Sequence, residues 1–297
     1  MAGTRQILQR REAAENIGKV THTMETVSAV RYRQYYRRWV ESLEFYDALA
    51  QLAYLMVAAE QTIEHPLMLA NKSDCQAVIV TGSNRGLCGA YNSNLIKLLE
   101  VHRKMAGRFG KRLKVYAQGN KILGHLAARG IETERVYHEF DEMPTSDQVR
   151  DMADDFIAQY RQGAIGRLSV VYTRFFSPAN QKAQTLTILP VSDLIDDLTT
   201  RATVIWPWEL GFEDFLLSPS ARELFDGLAT MIIRTALSGC FLDAALSEHL
   251  QRVIAMRSAT DNAGDMIRDL TKHYNRARQG RITEELLDII GGVEAMQ

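Results

Sequence analysis

The sequence predicts an α/β protein in which long N- and C-terminal helices pair as an antiparallel coiled coil and a Rossmann-like α/β domain occupies the centre of the chain. Three observations carry this. Between Gly18 and Pro66 there is neither glycine nor proline, and from Gly3 to Glu64 only Gly18 interrupts a run rich in Arg, Glu, Gln, Ala and Leu. A heptad spacing recurs in the last third of the chain. Short β-branched runs alternate with helical stretches in the middle.

The first segment reads as a single helix. Some 58 helical residues span roughly 90 Å at about 1.5 Å per residue. A compact domain of about 130 residues has a radius of gyration near 14 Å, so such a helix is expected to project from it. At the other end, Val253, Met256, Thr260, Ala263, Ile267, Leu270, Tyr274 and Ala277 follow at alternating spacings of 3 and 4, the seam of a left-handed coiled coil. Ala13, Ile17, Val20, Met24 and Val27 repeat the pattern near the N-terminus, and the simplest partner for each seam is the other. The same spacing also suits faces of ordinary bundle helices. Thr260 and Ala263 are small enough to let two backbones approach closely.

The expected segments are an N-terminal coiled-coil helix over 1–65, an α/β domain over 73–204, a linker over 205–217 and a C-terminal coiled-coil helix over 218–297. Within the middle, Ala77 to Val80 is a strand followed by a glycine-rich turn and a helix from Asn94 to Arg103. Leu113 to Ala117 is a second strand, with Asn120 to Arg129 as its helix. A helix from Thr145 to Tyr160 follows Pro144, and Leu168 to Thr173 and Thr185 to Val191 are further strands. The sheet is expected to be mostly parallel. Gly291 and Gly292 are expected to weaken or end the last helix before a short tail.

Composition narrows the function. With 297 residues, 46% apolar and 24% charged, the chain is an ordinary globular one. Its 35 Lys and Arg against 36 Asp and Glu leave a formal net charge of -1, so no global basic field points to nucleic acid. The longest unbroken apolar run, Leu52 to Ala59, is far below the roughly 20 residues that cross a bilayer. No transmembrane helix, secretory signal or transit peptide is expected. Cys75, Cys88 and Cys240 are scattered, without ligand spacing, which suits a reducing compartment and no metal.

The loop from Thr81 to Asn92 lies where a doubly wound domain would bind a nucleotide. Its glycines match neither dinucleotide nor P-loop spacing, and no Lys follows a final Gly. No cofactor or catalytic residue is therefore assigned, although a nucleotide-binding enzyme built on Gly82 to Gly89 stands as a rival reading, with Cys88 as its nucleophile if a base lay beside it. His22, His249 and His273 share no i, i+4 ligand pairing. A coiled-coil scaffold tethering unrelated partners is the second rival.

Charge is local. Residues 1–38 carry eight basic side chains against three acidic, and Arg268, Lys272, Arg276, Arg278 and Arg281 add five cations on the last helix. The paired helices would form a positive rod, which on the blander reading is a solvated surface. Arg276 and Arg278, two apart, point to different sides of their helix.

These residues resemble a known family. Ser247-Glu248-His249, Ala255 through Gly264, Tyr274 through Gln279, Ile282 through Leu286 and Ile289 through Gly292 look like the C-terminal signature of the gamma subunit of F-type ATP synthases. Asn16, Lys19-Val20-Thr21 and Met24 resemble its N-terminal helix, and Ser83 to Asn94, with Arg85-Gly86-Leu87-Cys88-Gly89 at its core, resembles its central loop. His22, the aromatic run Tyr32 to Trp39 and Val204 to Glu209 depart from the family pattern and point to a divergent branch.

The resemblance implies a rotor: a central stalk coupling ion flow through the membrane ring of c subunits to rotary ATP synthesis or hydrolysis. The chain itself would be non-catalytic, with ATP made or hydrolysed on the beta subunits. It would be present in a single copy, not as a homo-oligomer, inside a hexamer of alpha and beta subunits. The α/β domain would contact the epsilon subunit and the ring, peripheral on the cytoplasmic face of a bacterial or archaeal plasma membrane. By family match, Arg276, Arg278 and Gln279 would contact beta-subunit loops, Met24, Thr283 and Glu285 would lie in the neighbouring helix-pair region that tunes coupling, and Val293 and Met296 would sit in an apolar bearing.

Overall fold

The computed structural model describes residues 2–58, 65–140, 143–201 and 221–294. The elements run α1 (Ala2–Ala58), β1 (Cys75–Thr81), α2 (Tyr91–Arg108), β2 (Arg112–Gln118), α3 (Asn120–Ala127), β3 (Arg135–Tyr137), α4 (Ser146–Arg161), β4 (Arg167–Ser177), β5 (Asn180–Leu189), α5 (Val191–Arg201) and α6 (Ala221–Glu294). The chain divides into two compact units: residues 1–29 with 252–297, and residues 30–251. The expected linker over 205–217 lies outside the described residues.

The larger unit is built on a five-stranded sheet in the order β3-β2-β1-β4-β5. β1 pairs in parallel with β2 and β4, β2 in parallel with β3, and only β4 and β5 are antiparallel. The mostly parallel sheet is thus as the strand–helix alternation implies. Both faces of β1 are covered, which is why Ala77-Val78-Ile79-Val80 reads as an unbroken apolar run and not an alternation. Ala77 and Ile79 join a core with Phe156 of α4 and Ile232, Ile233 and Phe241 of α6. Val78 and Val80 join the opposite core with Leu95, Leu99 and Ile122 from α2 and α3.

Several boundaries differ from the sequence reading, each for a local reason. α4 starts where Thr145 caps it: Thr145 Oγ1 accepts from the Gln148 amide at 3.3 Å while Gln148 Oε1 accepts from the Thr145 amide at 2.8 Å. Val191 is not the end of a strand but the first residue of α5, a helix the sequence reading did not contain, and β3 was also missed because it spans three residues. α6 runs through Gly291 and Gly292 to Glu294, so these glycines do not end it. An 18-residue window within Glu223–Leu287 has mean hydropathy 1.3, long and apolar enough to cross a membrane by composition, contrary to what the short apolar runs implied. Phe225, Ile232, Leu237 and Phe241 of this helix are buried in the core that holds Ile79, and Leu246 in the cluster around Phe175.

The aromatic run of α1 acts as a clamp inside this unit. Tyr32, Tyr36 and Trp39 surround the Phe175 ring of β4 with centroids 6.4, 6.1 and 5.2 Å away. Tyr35 stacks on His249 of α6 at 5.5 Å, and Trp39 Nε1 donates to Asp243 Oδ1 at 2.8 Å. One helical turn further, a Cβ on Gly239 would lie 2.8 Å from the Tyr46 hydroxyl, so a larger residue there would have to displace the end of that side chain. Burial first, then the Asp243 carboxylate, pushes the Tyr46 phenol far above its ordinary value. Asp226 of α6 accepts from His65 Nε2 and Arg161 Nη2, both at 2.9 Å, and those donors hold its carboxyl below the ordinary range.

Two outcomes follow from this packing. His102 of α2 lies 2.6 Å from Thr185 Oγ1 of β5, and burial, then the Arg167 guanidinium, holds its imidazole below the ordinary 6.5. The unfolded chain binds that proton first, so the stability contributed is full above about pH 6.5 and is lost as pH falls through the lower folded value. His102→Gln is expected to flatten the pH dependence of the melting temperature on the acid side of 6.5. A Cβ on Gly82 would lie 2.4 Å from the Ile122 Cβ, so Gly82→Ala is expected to cost about 1–3 kcal/mol in denaturant unfolding.

Candidate functional site

The residues assigned from the family pattern belong to the smaller unit, where residues 2–29 of α1 run beside residues 252–294 of α6. Both stretches are helical despite several threonines, because the hydroxyls bond back to the helix: Thr23 to Lys19, Thr26 to His22 and Thr260 to Met256, at 2.8, 3.0 and 2.9 Å. Gly18 faces Ala263, and Thr21 Oγ1 is hydrogen-bonded to Thr260 Oγ1 at 2.8 Å. Rising numbers on one helix meet falling numbers on the other, so the pair is antiparallel.

The C-terminal seam is where its spacing placed it. Met256 and Ala263 are buried, and Val253, Thr260, Ile267, Leu270 and Tyr274 are half-buried. Ala277 is exposed and lines a shallow groove with Gln6, Ile7, Arg10, Leu270 and His273.

The N-terminal seam is different from the one expected. Ala14, Thr21 and Ser28 are buried, with Gly18 between them, whereas Ala13, Ile17, Val20 and Val27 are exposed and Met24 is half-buried. The seam therefore runs one residue further along, about 100° around the helix. The cause is size. A Cβ on Gly18 would stand 3.5 Å from the Ala263 Cβ, which is ordinary contact, and no room remains for an Ile or Val. Small side chains facing Thr260 and Ala263 permit the close approach, and the larger apolar ones face outward. The signal that marks the true seam is the Ala14, Gly18, Thr21 series of small residues at spacings of 4 and 3.

Extending the 18-to-263 register, the start of α1 stands near residue 279, so the last 15 or so residues of α6, roughly 20 Å, have no α1 partner. Ile282, Leu286, Leu287, Ile289 and Ile290 are all exposed there. Of the residues assigned from the family pattern, Gln279, Thr283, Glu285 and Val293 fall on this stretch, Arg276 and Arg278 lie just before it, and Met24 is on α1. Arg276, Arg278 and Gln279 are exposed, and neither arginine forms an ion pair with a described residue. Arg276 borders the groove next to Arg10 and His273. Thr283 is exposed and donates to the Gln279 carbonyl at 3.0 Å, and Glu285 pairs with Arg281 at 3.2 Å. Val293 lies in the last turn of α6, and Met296 is outside the described residues.

The glycine-rich loop after β1 is filled by its own side chains. Ser83, Cys88 and Asn92 are buried, and Asn92 Nδ2 donates to Ser83 Oγ at 2.7 Å while Asn92 Oδ1 accepts from the Ser83 amide at 3.0 Å. Cys88 Sγ lies 3.6 Å from Ser83 Oγ. Gly119, at φ +102°, abuts Gly82, whose carbonyl oxygen would stand 2.4 Å from a Cβ at 119. The space at the end of β1 that would cradle a phosphate is thus occupied by Gly119 and Ile122, and Ser83 and Asn92 lie against the thiol. Among the described residues, no cluster of His, Cys, Asp or Glu has the arrangement of a metal site.

Comparison with known proteins places this geometry. A family model described as ATP synthase matches residues 3–296. The ATP synthase gamma chain of Rhodopirellula baltica is 37% identical over 298 residues, with all of both chains covered, and that of Leptospira biflexa is 29% identical over 297 residues, also with all of both covered. Among solved structures, a chain of the Euglena gracilis mitochondrial ATP synthase has a TM-score of 0.67 at 20% identity, covering 99% of this chain and 95% of its own. A chain of the rotor from the same organism has a TM-score of 0.63 at 18% identity, covering 95% and 99%.

The small seam has a direct consequence. Gly18→Leu is expected to force the helices apart and destabilise the isolated chain by about 1–3 kcal/mol. Ile17→Ser, one residue away, is expected to change stability by less than about 0.5 kcal/mol. Circular-dichroism melts of the two variants decide which residue is in the seam.

Proposed function

We propose, since this chain belongs to the family of ATP synthase gamma chains, that the outward face of the paired helices is its bearing surface inside a hexamer of alpha and beta subunits. As a member of that family the chain is the central-stalk rotor and is non-catalytic, with ATP made or hydrolysed on the beta subunits. It works within an ATP synthase and is part of a membrane-associated complex. That leaves no place for the enzyme and scaffold readings.

The observation that carries the bearing surface is the outward display of Ile17, Val20 and Val27 together with the apolar unpaired end of α6. A soluble two-helix seam would ordinarily take such residues inward. Apolar contact is non-directional, so it tolerates a surface that turns against its partner. Arg276, Arg278 and Gln279 are the contacts with beta-subunit loops, where exposed ion pairs worth about 0–1 kcal/mol form and break at little cost. Thr283 and Glu285 tune coupling from the adjoining turns and Met24 from further down the pair, opposite about residue 257, while Val293 and Met296 seat the tip in an apolar sleeve.

The remaining partners are assigned on the same basis. The segment 73–204 meets the epsilon subunit and the ring of c subunits, and the paired stretches 2–29 and 252–294 form the shaft. A single copy serves each complex, peripheral on the cytoplasmic face. Asymmetry is what makes such a shaft work: only a surface that fits the hexamer's states unequally shifts their populations.

Arg278→Ala with Gln279→Ala is expected to lower coupled ATPase activity of the assembled complex several-fold while the melting temperature of the isolated chain stays within about 2 °C. Unchanged coupling in that variant overturns the role given to the pair. Co-purification with alpha and beta subunits, reduced by charged substitutions at Ile17 and Val20, tests the bearing surface separately.

A further inference from the structure

Helix α2 has a face that no described element covers. Leu95, Ile96, Leu99 and Ala106 are buried against the sheet side. Val101, Met105 and Phe109 are 51, 50 and 72% exposed. Spaced by four, they form one row about 12 Å long on the helix surface. Lys97, Lys104 and Arg108 are exposed in a second row next to it, about 17 Å long and offset by roughly a quarter turn. None of these three cations pairs with a described residue, and the nearby acids are taken: Glu100 by Arg129 at 2.7 Å and Asp74 by Lys111 at 2.8 Å. Phe109 is followed by Gly110 at φ +63°, around whose Cβ position there is open space.

Three large apolar side chains in a row, beside three unpaired cations and no free acid, form a surface with a defined complement. We propose that this face of α2 docks an acidic amphipathic helix of a partner protein. The two parallel rows select a helix over a lipid surface. A helix that lies in a membrane interface carries cations on both flanks of its apolar stripe. Here the cations occupy one flank only, and the other leads through half-buried Leu98 and His102 into the core. A partner helix alongside α2 would set an apolar row on Val101, Met105 and Phe109 and a Glu or Asp row on Lys97, Lys104 and Arg108.

The test uses the full chain and a labelled amphipathic peptide of about three heptads, Leu along one row and Glu along the adjacent one, read by fluorescence anisotropy. The wild type is expected to bind it, more weakly as salt rises from about 50 to about 200 mM. The triple variants K97E/K104E/R108E and V101S/M105S/F109S are each expected to weaken binding at least tenfold while melting as the wild type does. A peptide with Lys in place of Glu is expected to bind K97E/K104E/R108E and not the wild type. Absence of wild-type binding, or equal binding by the variants, overturns the proposal. So does pelleting of the wild type, but not the variants, with vesicles of about 30% phosphatidylserine, which would make this a membrane face.

Discussion

The antiparallel helix pair depends on how closely its two backbones approach at Gly18–Ala263 and Thr21–Thr260. A seam of Ala, Gly, Thr and Ser buries little apolar surface, and at about 25 cal/mol per Å² its hydrophobic gain is small compared with a Leu-rich seam. Dispersion between closely spaced backbones and the Thr21–Thr260 hydrogen bond must supply the difference. Both fall off steeply with distance, so the pairing fixes its register more sharply than an oily seam would. The same choice of small residues leaves Ile17, Val20 and Val27 outside. Specificity is thus placed between the two helices, and the larger apolar side chains on their outer surface.

In the larger unit the same two helices are held by different means. Aromatic rings from α1 enclose Phe175, Tyr35 stacks on His249, and Trp39 is hydrogen-bonded to Asp243. These contacts bury large rings, each with a defined orientation. The Tyr46 hydroxyl fills the space beside Gly239, where a Cβ would stand 2.8 Å from it. Residues 32–46 of α1 are therefore anchored by bulk where residues 14–28 are matched by smallness, and one uninterrupted helix serves both purposes because its composition changes along its length.

Much of this was readable from residue order. The length of α1 follows from the absence of glycine and proline between Gly18 and Pro66, the start of α4 from Thr145 and Gln148, and the C-terminal seam from spacings of 3 and 4. The N-terminal seam was misread because hydrophobicity was used as the guide to burial. The Ile17, Val20, Met24, Val27 series has the stronger apolar heptad, but its residues are exposed or half-buried because a partner helix rich in small residues selects small residues in return. Apolar spacing alone does not say which of two stripes a helix turns toward its partner. Gly291 and Gly292 misled in a similar way: glycine lowers helix propensity by about 1 kcal/mol, which a long α6 absorbs. Thr185 to Val191 ran two residues past the end of β5, through Pro190 into the first residue of α5, because Val191 suits a strand as well as a buried helix start.

The central loop shows why position in a fold is weaker evidence than the space available there. Gly82 to Gly89 follows the first strand of a mostly parallel sheet, the place where many such domains hold phosphate. Its glycines serve another purpose: Gly82 and Gly119 admit each other's backbone and the Ile122 side chain, and Asn92 and Ser83 satisfy the buried polar groups among themselves. With those donors already used, an entering phosphate would have to displace protein hydrogen bonds worth about 0.5–1.5 kcal/mol each and separate a packed core contact. A sheet without that vacancy is left as a rigid support, which is what a non-catalytic subunit asks of it.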